Sequence, residues 1–261
     1  ILSGEWGLSP RDPAQPGWEN AEDKEWQARR MEVYAAQITV MDEGIGRIIE
    51  ALEETGQIDN TIVIFTSDQG YNMGHNGIWH KGNGWWTTKD GRDPAGVYTR
   101  MTERGITERE NLYDTSLRVP GIVRWPEQIR PGAEITRPVS CIDWFPTLLE
   151  MTGTSQPEET ELPELSFLSM LEKPGKTLPE KPHFAQHHRL RCIRTTDWKY
   201  VQSCIDEEPD ELYDLRMDPQ EHVNLISRID EPELEEVYTD LRQRLIQHMI
   251  TIEDPLLSGL D

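Results

Sequence analysis

The sequence predicts an α/β protein followed by a small α+β subdomain, and three observations carry that prediction. A long helical periodicity runs into a β-branched strand, a Pro/Glu-rich stretch interrupts the chain over residues 153–182, and beyond it short strand patterns precede one amphipathic helix. The division that follows is a core over 1–155, a connector over 156–182 and a subdomain over 183–261.

Residues 1 to about 20 set Pro10, Pro13 and Pro16 among Gly4, Gly7 and Gly17, which reads as an extended loop. From about Asp23 to Thr55, Tyr34, Ile38, Met41, Ile45, Ile48 and Leu52 recur at steps of four and three, one face of a long helix, and Gly56 supplies its stop. Thr61 to Thr66 is a continuous β-branched run, expected as a strand buried on both faces of a parallel sheet. Residues 82–111 lack periodicity and read as a surface loop, Ser116 to Trp125 as a strand ended by Pro126, and Ile142 to Met151 as a short helix with Pro146 in its first turn. After the connector, Leu190 to Ile193 and Trp198 to Val201 read as short strands. Asp210 to Leu215 opens a turn-rich stretch, and Pro232 to Met249 is an amphipathic helix.

At 261 residues the chain can bury a sizeable core, and no apolar run is long enough to cross a bilayer. Forty-eight Asp and Glu against 26 Lys and Arg give a net charge of -22, which repels nucleic acid and anionic membrane over most of the surface. Cys141, Cys192 and Cys204 fall in no disulfide or zinc-ligand pattern.

Chemistry concentrates between Thr66 and Gly84. An acid (Asp68), amides (Gln69, Asn72, Asn76), two imidazoles (His75, His80), an ammonium (Lys81) and several glycines share this stretch at the carboxyl end of the predicted strand, where α/β sheets place ligands. Asp68 followed by the Gln69 amide offers hard oxygen ligands suited to calcium or magnesium. Lys81 suits an anionic group, and His75 or His80 can donate hydrogen bonds or move protons. A solvated Gly-rich turn with surface histidines is, by composition alone, an equal reading.

Asp68-Gln69-Gly70, then Gly74, Gly77 and Lys81, resemble the second signature region of the type I sulfatases of the alkaline phosphatase superfamily. Other segments agree in order: Arg30-Met-Glu-Val-Tyr-Ala-Ala-Gln with Met41-Asp42 and Ile45-Gly-Arg, Arg118-Val-Pro, Asp143-Trp-Phe-Pro-Thr-Leu-Leu, Trp198-Lys-Tyr, Glu211-Leu-Tyr-Asp-Leu, and Asp218-Pro-Gln-Glu with Asn224-Leu. The likeness spans roughly residues 28 to 248.

The resemblance implies an alkaline-phosphatase-like core, one calcium ion held by Asp68 and Gln69, Lys81 as the catalytic cation on the sulfate oxygens, and His75 or His80 as substrate contacts. Gln69 stands where relatives usually carry His or Asn, and Asn76 where they often carry His. The implied activity is hydrolysis of an aryl or carbohydrate sulfate ester by a formylglycine nucleophile. A phosphonate or phosphate ester hydrolase of the same superfamily and a non-catalytic sulfatase-like binding module are the alternatives. The family leans towards the periplasm or secretion. No Cys or Ser here is followed by the x-Pro-x-Arg pattern that yields formylglycine, and no Asp-Asp pair occurs. The chain is therefore expected to be the C-terminal portion of such an enzyme, with the formylglycine upstream, and to be inactive alone.

Overall fold

The computed structural model describes residues 21–73, 75, 79–80, 111–155, 166–173, 181–204 and 209–257, with backbone alone for 21–27, 79 and 80. Helix α1 (Ala21–Glu54) is followed by strand β1 (Val63–Thr66), the short strands β2 (Asn72–Met73) and β3 (Trp79–His80), a single helical turn α2 (Asp114–Leu117) and strand β4 (Gly121–Arg124). Helices α3 (Trp144–Thr152) and α4 (Leu168–Glu172) come next. Four strands, β5 (His183–His187), β6 (Leu190–Arg194), β7 (Trp198–Ser203) and β8 (Glu211–Asp214), then precede helix α5 (Pro232–Thr251).

Two helices stop for the same local reason. After α1, Gly56 sits at φ 65, its N–H donates to the Glu53 carbonyl and that of Gln57 to the Leu52 carbonyl. Gly153 repeats the arrangement after α3, donating to Glu150 while Thr154 donates to Leu149. Both are left-handed caps in which glycine avoids the Cβ penalty and the chain satisfies carbonyls the helix leaves over.

β1 differs from its expected setting. It pairs antiparallel with β4, Val63 opposite Arg124 and Thr66 opposite Gly121, and its residues are only partly buried. Ile62 and Val123 pack with Trp125, Ile129, Ile135 and Trp144 onto buried Met151, Phe167, Leu168, Met170 and Leu171. An unbroken apolar run is thus met by one covered face. Trp144 meets Phe167 edge to face at 4.8 Å, so the stretch read as a connector supplies part of this core through α4. Fully buried Thr147 ties the two segments: its hydroxyl donates to the Asp143 carbonyl and accepts the Phe167 N–H.

The segment 116–125 is likewise not one strand. Asp114–Leu117 forms a helical turn and pairing begins only at Gly121, because Pro120 has no N–H to give a ladder. In the C-terminal part, β5 and β8 are strands the sequence pattern did not separate from their flanking turns. All four strands pair antiparallel in chain order, β5-β6-β7-β8. Ile193, Tyr200 and Leu212 lie opposite one another and take Leu241, Leu245 and Met249 of α5, one stripe at steps of four. The other face carries Leu190, Cys192 and Val201 against Leu112. Burial pushes the Cys192 thiol up to about 12, so it is an unreactive core residue.

Helix α1 shows the predicted apolar periodicity, yet Val33, Ile38, Val40, Met41 and Ile48 are all exposed. Among the described residues no helix is long and apolar enough to cross a membrane.

Candidate active-site loop

The loop after β1 is shaped by Ser67, whose hydroxyl donates to the Gln69 carbonyl at 2.9 Å and reaches Asp68 Oδ1 at 3.3 Å. This side-chain turn ends the strand and leaves the Asp68 carboxylate exposed and Gln69 half-buried at its carboxyl end. Gly70 then presses against α2. Its N–H donates to the Ser116 carbonyl at 2.8 Å, and a Cβ there would stand 2.1 Å from the Thr115 carbonyl oxygen. Only glycine permits that approach.

Asn72 is fully buried and fixes the next step. Its amide nitrogen donates to Ser116 Oγ at 2.7 Å, its amide oxygen accepts from the Thr115 hydroxyl, and Ser116 Oγ donates onward to Asn111 Oδ1 at 2.7 Å. From the other side, Tyr71 stacks on Tyr34 of α1 with ring centroids 5.4 Å apart. The two rings border a groove of about 250 Å³ lined also by Arg29, Arg30, Val33 and Met73.

His75 accepts the Met73 N–H at Nδ1, 3.2 Å away, so the neutral ring carries its proton on Nε2. His80 lies on β3, its backbone paired with Asn72. Lys81 lies outside the described residues, as do Trp85 and Trp86. The structure therefore brings Asp68 and Gln69 together at the end of β1 and places His75 and His80 in the β2–β3 segment that follows.

Asp68 and Gln69 are adjacent hard-oxygen donors on an accessible loop, and their chemistry fits calcium. Among the described residues no group of three or more His, Cys, Asp and Glu that could hold a metal ion comes together.

Sequence reasoning missed a charged cluster behind the loop. Lys199 of β7 is fully buried, and its ammonium spends all three protons: on the Leu112 carbonyl at 2.9 Å, on Asp114 Oδ1 and on Glu221 Oε1, each at 2.5 Å. Glu221 Oε2 accepts the Asp114 N–H at 2.6 Å, and Arg194 forks onto the Asp114 carboxylate at 3.0–3.2 Å. Burial opposes the charge on Asp114, but Lys199 and Arg194 outweigh it and hold the carboxyl below the usual range. Burial also opposes the Lys199 charge, and Glu221 with Asp114 outweighs it there too. For Glu221 burial wins and raises the carboxyl to about 7 against the pull of Lys199. The available signal was a lysine inside the apolar run Trp198-Lys199-Tyr200-Val201.

Two arginines of the sheet also reach distant carboxylates: Arg191 is buried and forked onto Asp254, 63 residues away, and Arg194 reaches Asp114, 80 residues away.

The family model described as Sulfatase matches residues 9–154, and one described as N-sulphoglucosamine sulphohydrolase, C-terminal, matches residues 102–251. The chain is 28% identical over 209 residues to the N-acetylglucosamine-6-O-sulfatase of Bacteroides thetaiotaomicron, an alignment covering 76% of this chain and 32% of that protein. It is 29% identical over 238 residues to the choline-sulfatase of Rhizobium meliloti, covering 86% of this chain and 40% of that protein. A protein solved in complex with its substrate D-glucosamine-2-N,6-O-disulfate superposes with TM-score 0.71 at 24% identity, over 93% of this chain and 45% of the other. The chain thus spans less than half the length of these relatives. With more than half of its residues matched by the family model and an alkaline-phosphatase-like fold shared with that structure, the chain belongs to the sulfatase family.

Proposed function

We propose that this chain carries part of the active site of a sulfuric ester hydrolase acting on an aryl or carbohydrate sulfate. The carrying observation is the loop at the end of β1, where Ser67, the close packing of Gly70 and the buried Asn72 hold Asp68 and Gln69 at an accessible edge. Family membership and the sulfated-sugar substrate of the structural relative support the substrate class.

In this reading Asp68 and Gln69 hold calcium through their side-chain oxygens, and calcium when bound supplies positive charge to the sulfate oxygens. Lys81 sets an ammonium against the same oxygens, where charge grows as the ester bond breaks. His75, with its proton on Nε2, or His80 donates to the substrate. The chain alone turns over no sulfate ester, because it holds no residue in the nucleophile pattern.

The test uses the full-length protein containing this chain, with calcium titration and aryl sulfate turnover measured side by side. Asp68→Ala is expected to lower calcium affinity and turnover together. Lys81→Ala is expected to keep calcium and lose about 10²-fold in rate, the usual effect of removing one preorganised electrostatic contact. Near-normal turnover in Lys81→Ala, or normal calcium binding in Asp68→Ala, overturns the assignment. Faster turnover of a phosphate than a sulfate ester transfers the site to phosphohydrolase chemistry.

A further inference from the structure

We infer that the largely buried cluster of Asp114, Lys199, Glu221 and Arg194 is a positioning device for the Asp68–Gln69 loop, through which the C-terminal sheet sets the geometry of that loop. Its functional weight rests on the reading of Asp68 and Gln69 as metal ligands; the mechanical coupling does not.

The route is continuous. Lys199 grips the Leu112 carbonyl and the Asp114 carboxylate, and Glu221 takes the Asp114 N–H, so backbone and side chain are both fixed at the start of α2. Arg194, from the neighbouring strand, closes the remaining side of the Asp114 carboxylate. The turn itself is stiff: Ser116 and Leu117 donate to the Tyr113 carbonyl at 2.8 and 3.0 Å, and Arg118 donates to Asp114 at 2.7 Å. Its far end is the surface against which Gly70 packs without room for a Cβ, with Ser116 Oγ and the Thr115 hydroxyl engaging Asn72 on the next strand. Gly70 adjoins Gln69, so any shift of Thr115 and Ser116 displaces the candidate ligands.

The cluster is also built to resist movement. All three Lys199 protons are bonded, so the ammonium cannot swing towards one acceptor without giving up its bond to another in a buried setting. Glu221 adopts φ 59, an uncommon backbone conformation for a residue with a side chain, as its carboxylate reaches both Lys199 and the Asp114 N–H.

The experiment reads the Gly70 amide by nuclear magnetic resonance in the full-length protein containing this chain. In Lys199→Met and in Asp114→Asn, which keeps the side-chain volume, the Gly70 amide proton is expected to move upfield as its bond to Ser116 lengthens. Its exchange protection should fall by about tenfold beyond any change at Leu245 of α5, the signature of local opening. Ser116→Ala, which leaves the ions intact, should loosen Gly70 in the same way. An unmoved Gly70 resonance, or protection lost only in step with Leu245, shows a cluster that merely stabilises the sheet and overturns the inference. Loosening in Ser116→Ala without loosening in Asp114→Asn does the same. Asp68→Ala separates the two readings: normal calcium binding there refutes the metal site, whereas the Gly70 result stands or falls independently.

Discussion

Lys199→Met is expected to lower the unfolding free energy by about 3–5 kcal/mol, the usual cost of leaving a buried ion cluster without one of its partners. Methionine fills nearly the same space, so the loss is electrostatic rather than a cavity effect. Asp114 keeps Arg194, but the Leu112 carbonyl loses its donor and Glu221 keeps only the Asp114 N–H. The pH dependence has a definite sign. Glu221 is raised from 4.5 to about 7 by burial even with Lys199 present, and removing Lys199 raises it further. A carboxyl whose pKa is higher folded than unfolded contributes stability that is full below the unfolded value and disappears as pH climbs through the folded one. The deficit of the variant should therefore be smaller near pH 5 than at about pH 8, because protonated Glu221 no longer needs a cation. Urea unfolding at the two pH values checks this. A loss below about 1 kcal/mol, equal at both, would show that the cluster contributes no more than exposed ion pairs do.

Gly70→Ala is the second large effect. The new Cβ meets backbone, the Thr115 carbonyl oxygen at 2.1 Å and its carbon at 2.9 Å, so no flexible side chain can yield. The loop or α2 must shift, breaking the Gly70 to Ser116 hydrogen bond, and overpacking of this kind typically costs about 1–3 kcal/mol. Gly46→Ala on α1 is the control: nothing lies within 4 Å of its Cβ, and alanine in a helix interior should stabilise by about 0.5–1 kcal/mol. Thermal melts of both variants distinguish a steric site from general glycine removal. Equal melting temperatures would mean that the Gly70 contact is easily relaxed. In the full-length protein the Gly70 variant should also lose calcium affinity.

Local patterns that carry one dominant signal were legible in the sequence. The helix over Ala21–Glu54 and its Gly56 stop, the helix over Pro232–Thr251, and strands β6 and β7 follow from periodicity and cap residues alone. β1 was legible as a strand, but its partner was not: a β-branched run fits a parallel interior and a half-covered antiparallel pair equally well, and pairing depends on residues 55–61 positions further along the chain. β5 was hidden because its His-Phe-Ala-Gln-His pattern has no clear alternation, and β8 because Asp210 and Asp218 around it read as turn residues. Asp68 and Gln69 stood out because acid, amide and glycines follow a strand. The cluster behind them did not, because Asp114, Arg194, Lys199 and Glu221 sit in four separate segments, and a buried lysine is marked only by the apolar residues beside it.

The C-terminal sheet has a kinetic consequence. Its strands are neighbours in space in the order in which they occur along the chain, so each hairpin closes a short loop and can form locally. Lys199 meets Asp114 across 85 residues, a closure whose entropy must be met before the ions reward it. On this ground the sheet is expected to assemble first, with α2 docking on it after the main barrier. Lys199→Met should then accelerate unfolding while leaving the refolding rate nearly unchanged, so the grip of the sheet on α2 governs how long the native loop lasts rather than how quickly the chain finds it.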